Sequence, residues 1–355
     1  MRSSSTSATH PEPDLQVIDT LFEQAGLHRN LRGKASGVTL RMRFERAAQQ
    51  ELIPAAPIPR VAPNGVEWLP VAGWEKIDWL WHGFSTRRGG LSRAYCADDE
   101  PGELNLGFTA ADDDRETVLR NRRLLAEAIT GAPATPLVSL KQIHSNKVVL
   151  TGVADASREP PCKADGLMTG APGLLLAIQT ADCIPVLVAD RKRRAVAAFH
   201  AGWRGTVKRI VESGVGRMRL EFGSRPEDLI AAIGPGIGPC CYAVGEDALS
   251  EFESQFAYAR ELFREVYDAD PVRAKYPMLF LTQRAPGHSP IGPSLHLNLI
   301  EANRRQLLAA GLKPRAIQTV GGCTSCQREI FFSHRASQSH AGRMMSVIGI
   351  RPETL

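Results

Sequence analysis

The sequence predicts a single α+β domain with mixed β-sheets over residues 67–355, behind a loosely attached extension of residues 1–66. From Val66 onward, short apolar runs such as Leu137–Leu140, Val148–Leu150 and Ala195–Phe199 have strand length and lie between turn-forming residues. They alternate with segments of helical period, and no internal repeat is evident.

Met1–Pro13 is rich in Ser and Thr and lacks apolar periodicity, which predicts disorder. Leu15, Ile18, Leu21, Phe22 and Leu27 fit one face of a short helix, and Pro54, Pro57, Pro59 and Pro63 then predict an extended linker. A transit peptide is the alternative for this stretch, but Asp14, Asp19, Glu23 and Glu45 count against it. Helices are expected over Asp113–Thr130 and Leu297–Gly311. A third begins near Thr206, because Val207, Ile210, Val211, Val215, Met218 and Phe222 recur at three- and four-residue intervals opposite Lys208, Arg209, Glu212 and Arg217. Leu174–Ala189 is apolar except around Gln179, Thr180, Asp182 and Pro185, so it reads as two buried strands joined by a break. Ser250–Leu295 carries Pro271, Pro277, Pro286, Pro290 and Pro293, and is expected to be a surface insertion or lid.

Cys183 lies in that break, His200 follows the strand Ala195–Phe199, and His144 lies between two strand runs. One thiol and two imidazoles suit zinc, with the fourth position left open as in catalytic sites. Cys183 and His200 follow His144 by 39 and 56 residues, so spacing alone does not distinguish a metal site from a hydrogen-bonded histidine pair beside an inert cysteine. His200 and Arg204 precede the expected helix, where free N–H groups favour a phosphate. Arg88, next to Gly89 and Gly90, is a candidate for bidentate phosphate binding, against the reading of an exposed turn.

The segments His82–Gly90, Leu104–Gly107, Asn121–Arg122, Gln142–His144, Ala164–Gly166, Thr180–Cys183, His200–Gly205, Ile233–Pro235, Phe331–Arg335 and Gly342–Met344 occur together in this order. With them the chain resembles the purine nucleoside phosphorylase family formerly described as laccase-like multicopper polyphenol oxidases, over roughly residues 67 to 350. The resemblance implies sheets layered with helices, His144, Cys183 and His200 as zinc ligands, and purine nucleosides and phosphate as substrates. It also implies phosphorolysis of inosine and adenosine, adenosine deamination on the same metal, and methylthioadenosine phosphorylase activity. Arg88, Arg204, Asn105 and Arg122 are the phosphate candidates. Asp182, the acid nearest a ligand in sequence, is the candidate acid/base, with backbone capping as its other reading. His296 and Ala243 depart from the family's more common aspartate and glutamate.

Copper is the alternative metal, because two histidines and a cysteine also make a blue-copper set. The nine histidines, His10 and His28 among them, are too few for a four-copper laccase. A metal-free cysteine hydrolase would use Cys183 with His144 or His200 as base. Cys323-Thr-Ser-Cys326 is a C-x-x-C pair of the kind used for zinc or redox work, but no second pair accompanies it and it reads as structural or surface thiols, and Cys240-Cys241 as packing in a turn. A net charge of +5 with five Trp and five Tyr argues against nucleic acid and fits small anionic substrates. An odd cysteine count of seven and the lack of a leader or membrane-spanning run predict a reduced, cytoplasmic protein.

Overall fold

The computed structural model describes residues 58–97, 99–108, 113–158, 161–266, 294–338 and 340–353. The extension up to residue 57 and most of the expected insertion, residues 267–293, lie outside the described residues.

The strands are β1 Arg60–Val61, β2 Glu67–Leu69, β3 Leu80–Ser85, β4 Arg88–Ser92, β5 Leu137–Ser139, β6 Val148–Leu150, β7 Gly166–Thr169 and β8 Leu175–Thr180. They continue with β9 Ile184–Asp190, β10 Ala195–Ala201, β11 Leu229–Ile233, β12 Ala243–Val244, β13 Phe263–Val266, β14 Ser294–Leu297, β15 Ile317–Thr319 and β16 Met344–Ile350. The helices are α1 Arg115–Thr130, α2 Trp203–Val207, α3 Ile210–Phe222, α4 Glu246–Gln255 and α5 Leu299–Ala309.

Two six-stranded sheets, ordered β1-β2-β3-β16-β8-β5 and β15-β11-β9-β10-β7-β6, stack face to face, and β12-β14-β13 form a small third sheet. The β5–β8, β6–β7 and β11–β15 pairs are parallel while the other neighbours run antiparallel, so the sheets are mixed as expected. Side chains alternate along each strand. On β10, Val196 and Ala198 join Leu187, Phe84, Leu176 and Ile348 between the sheets. Ala195, Ala197 and Phe199 point the other way, onto Val211, Val215 and Met218 of α3 and Leu299 and Ala302 of α5. On the far side of the first sheet, Trp81, Leu175 and Val347 pack with Leu125 and Ala126 of α1. The resulting layers run helix, sheet, sheet, helices. Strands covered on both faces are apolar throughout, which is why the sequence shows runs instead of alternation.

Each expected helix has an identifiable start. Asp114 caps α1 by accepting from the Thr117 N–H at 2.8 Å, and Asn298 caps α5 by accepting from the Glu301 N–H at 3.0 Å. The helix expected from Thr206 is interrupted. Arg209 adopts φ 60°, so α2 ends and α3 starts a turn later. Its guanidinium holds that corner by donating to Glu212 and to the Gln255 carbonyl while stacking on Phe256. No helix among the described residues is long and apolar enough to cross a membrane.

Candidate active site at the sheet crossover

The break expected in Leu174–Ala189 is the point where the chain leaves one six-stranded sheet and enters the other, since β8 and β9 belong to different sheets. Asp182 makes the corner with φ 92°, a region costly for any residue but glycine. Both of its polar ends are occupied. Its carboxylate accepts from Thr324 Oγ1 and from the Arg335 N–H, each at 2.7 Å, and its carbonyl accepts from the Ile237 N–H at 2.8 Å. Cys183 follows directly and is thereby presented at the end of the crossover.

His200 comes from β10 and His144 from the loop between β5 and β6. Sγ of Cys183 lies 3.9 Å from Nε2 of His144, the two imidazole centroids are 4.9 Å apart, and the ligand atoms of all three residues fall within 4.8 Å of one another. Zinc with Zn–S of about 2.3 Å and Zn–N of about 2.0 Å sets tetrahedral S···N separations of about 3.6 Å, so the donor set fits such an ion. Gly202 completes the cradle: a Cβ there would stand 2.8 Å from His144 Cδ2 and 2.9 Å from Cys183 Sγ.

Asp165, within the segment Ala164–Gly166 but assigned no role from the sequence, organises this trio. Fully buried, it accepts from His200 Nδ1 at 2.8 Å, which leaves Nε2 as the ring nitrogen available to a metal. The same carboxylate accepts from the N–H groups of Ile143, His144 and Ser145 and from the Ser145 hydroxyl. This fastening holds His144 at φ 57°. Gln142 pins the loop from the other side by exchanging two hydrogen bonds with the backbone of Gln179 on β8. The sequence signal for Asp165 is its place in Ala164–Gly166, one of the segments that carry the resemblance.

The electrostatics follow from this packing. Burial opposes ionisation of Asp165, yet His200 and the Ser145 donors hold its carboxyl down at about 2. Burial also opposes charge on Cys183, but the neighbouring His200 and His144 outweigh it and bring the thiol down to about 6. For His200, desolvation is overcome by the Cys183 thiolate and by Asp165, which raise the imidazole to about 9.

The trio lies in the wall of an 860 Å³ cavity lined also by Arg115, Arg122, Arg123, Lys141, Arg158 and Arg343, with Asp155 as its acidic side chain. That volume suits a small-molecule ligand and the charge suits an anionic one. Arg122 is held there by its Nε donating to the Leu106 carbonyl at 2.9 Å and by stacking on Phe108 at 4.1 Å.

Of the expected phosphate groups, Arg122 alone lines this cavity. Arg88 sits exposed on β4, where its Nε donates to the Glu329 carbonyl at 2.8 Å. Asn105 is buried, bonded to Gly107, Asp113 and the Arg343 N–H, and so braces the loop behind the cavity. Arg204 is exposed and stacks on Trp203 at 4.4 Å. The anion site expected at the helix start also changes, because α2 is a single short turn broken at Arg209.

The description "Multi-copper polyphenol oxidoreductase laccase" belongs to a family model that matches residues 81–351. The chain belongs to that family. Among curated relatives it is 34% identical over 275 residues to "Purine nucleoside phosphorylase" of Bacteroides thetaiotaomicron, covering 76% of this chain and 91% of that protein. It is 35% identical over 278 residues to "Purine nucleoside phosphorylase YlmD" of Geobacillus stearothermophilus, covering 76% and 90%. The crystal structure of the Geobacillus stearothermophilus YlmD superposes with a TM-score of 0.65 at 31% identity, covering 83% of this chain and 100% of that one.

Proposed function

We propose that the protein is a zinc-dependent purine nucleoside phosphorylase whose metal is held by His144, Cys183 and His200. It converts inosine- and adenosine-type nucleosides plus phosphate to free base and ribose-1-phosphate, and the same site deaminates adenosine and cleaves methylthioadenosine. The observation that carries this reading is the three-ligand set opening into a cavity rimmed by cations. The names borne by the relatives favour the same reaction.

His144, Cys183 and His200 would hold the zinc, which would supply Lewis-acidic charge beside the cavity. Asp165 fixes the tautomer and ring plane of His200, and the two imidazoles keep Cys183 as thiolate, the form that binds a metal. Arg122, Arg343 and Lys141 are the groups on the cavity wall that take the phosphate. Held there, a phosphate oxygen forms the new bond to the ribose carbon that bears the base. The carbon–nitrogen bond to the purine breaks in the same displacement, and the base leaves with the electron pair and then takes a proton. Asp182, occupied by Thr324 and the Arg335 N–H, positions the Cys183 turn in this scheme and is not the acid/base.

A metal-free cysteine hydrolase is the second reading, because Asp165, His200 and Cys183 are connected in the order of an acid–base–nucleophile relay. Two imidazoles on one thiolate, and a glycine cradle beneath them, favour the metal. A four-copper centre is opposed by the donors, since among the described residues the second potential metal group is made of cysteines alone. Purified protein incubated with inosine, with and without phosphate, separates these readings. Hypoxanthine plus ribose-1-phosphate only with phosphate, lost on chelation and restored by zinc, is the expected result. Base release that persists in the chelated protein, or phosphate-independent formation of ribose, would contradict it.

A further inference from the structure

Cys240 and Cys241, expected to serve packing, and Cys323 and Cys326, expected to be structural or surface thiols, converge in space. Their four sulfurs lie within 4.8 Å of one another. Cys326 Sγ is 3.4 Å from Cys240 Sγ and 3.4 Å from Cys241 Sγ. A disulfide would join one of those pairs at about 2.0 Å and leave the other sulfur out. A tetrahedral ion with Zn–S of about 2.3 Å places its ligands about 3.8 Å apart, a separation that all four sulfurs reach with small shifts.

The backbone around them is arranged as two facing turns. In one, the N–H groups of Cys326 and Gln327 both donate to the Cys323 carbonyl; in the other, those of Cys241 and Tyr242 both donate to the Gly238 carbonyl. The turns are joined by a bridge between Gly236 and Cys323 and by the Thr324 N–H donating to the Gly236 carbonyl at 3.0 Å. The Gly238 N–H donates to Cys323 Sγ at 3.2 Å, the kind of contact that favours sulfur in its anionic form. A Cβ at Gly238 would crowd Cys323 Cβ at 3.1 Å and Cys240 Sγ at 3.2 Å.

We propose that Cys240, Cys241, Cys323 and Cys326 form a second, closed metal site, binding one zinc ion through four thiolates. Four protein ligands leave no position for water or substrate, so its role is structural. Its place in the fold gives it a definite task. The two turns it fastens are those that hold the strained crossover, through Ile237 on the Asp182 carbonyl and Thr324 on the Asp182 carboxylate. The ion therefore braces the corner from which Cys183 reaches the cavity. This inference stands on the sulfur geometry and is independent of the reaction assigned to the cavity.

The test is metal content and cobalt spectroscopy on the full chain, purified under reducing conditions. Wild type and the Cys326→Ser and Cys183→Ser chains are loaded with zinc, stripped of weakly held ion and analysed. Cys326→Ser is expected to hold one zinc equivalent fewer per chain than wild type. After cobalt(II) replacement, Cys183→Ser should retain the intense thiolate-to-cobalt charge-transfer and tetrahedral bands of a four-sulfur site. Zinc content in Cys326→Ser equal to wild type would overturn the proposal. The cobalt experiment keeps the question decidable even if Cys326→Ser fails to fold, because Cys183→Ser leaves the four cysteines intact. Lack of a four-sulfur cobalt spectrum in that chain, or an intact mass two hydrogens below that of the reduced protein, would overturn it equally.

Discussion

The two clusters of potential metal ligands lie on either side of the same backbone corner and differ in what they leave open. His144, Cys183 and His200 offer three donors of two kinds, arrive from separate elements, and face a cavity lined with arginines. Cys240, Cys241, Cys323 and Cys326 offer four donors of one kind on two turns, and their geometry closes around a single point. Asp165 fastens the first cluster, while in the second the Gly238 N–H donates to Cys323 Sγ. Ligand count and surroundings, more than ligand identity, are what distinguish the two clusters, as they distinguish open from closed metal sites in general.

The sharpest way to break the comparison short of removing a ligand is to remove the carboxylate that only the first cluster has. Asp165→Asn keeps the volume but replaces an anionic acceptor shared by His200, His144 and Ser145. Zinc affinity at the cavity site should fall by about 10- to 100-fold, measured by competition with a chromophoric chelator, while the four-cysteine site keeps its ion. Equal affinity in the variant would mean that Asp165 holds the loop without tuning the ligands.

The glycine cradle predicts a comparable loss. Gly202→Ala places a methyl group against His144 and Cys183, at 2.8 and 2.9 Å, and should lower zinc affinity there by roughly tenfold or more. Gly216→Ala, on α3 with nothing within 4 Å, is the control and should be neutral or slightly stabilising. If both substitutions behave alike, the cradle is not a constraint on the ligands.

Phosphate binding comes next. Arg122→Ala should raise the phosphate KM by about tenfold, equivalent to about 1.4 kcal/mol. Arg88→Lys, on β4 outside the cavity lining, should leave it within about twofold. The opposite ranking would return phosphate binding to Arg88.

The smallest effect concerns protonation of the chelated protein. Because the Cys183 thiol is lowered to about 6 from its ordinary 9.0, its thiolate persists at neutral pH and is lost only as pH falls through about 6. Alkylation of Cys183 by iodoacetamide, followed by peptide mass spectrometry, should therefore show a midpoint near 6. A midpoint near 9 would mean that the histidines do not support the thiolate.

Much of the frame could be read from residue order. The apolar runs of β8, β9 and β10 and the capped periodic segments of α1 and α5 carry their own local signals, and the interruption around Asp182 marked the crossover. Arg209 carried no such signal, because its left-handed backbone is held by Glu212, Gln255 and Phe256, contacts that only the tertiary fold creates. At the site, His144, Cys183 and His200 stood out by donor chemistry and by resemblance, whereas the segment holding Asp165 was visible but not its role, which depends on His200 and the His144 loop meeting in space. Arg88 looked suited to phosphate because of its glycines, but that pattern says nothing of which face of β4 it occupies. The four-cysteine cluster was legible only in its C-x-x-C half, Cys323 to Cys326, for a similar reason. Its two halves are 82 residues apart from Cys241 to Cys323, and β14 and α5 intervene, so neither half resembles a complete motif.

The central claim is that catalysis belongs to the open cluster and stability to the closed one. It is tested most directly by following ribose-1-phosphate formation from inosine and phosphate with Cys183→Ser protein that retains its four-cysteine ion. The account predicts a rate at least about a hundredfold below wild type in a chain whose thermal midpoint is little changed, because a ligand facing the cavity has been lost and the brace kept. Ribose-1-phosphate formed by Cys183→Ser at the wild-type rate would contradict it and place the chemistry elsewhere in the molecule.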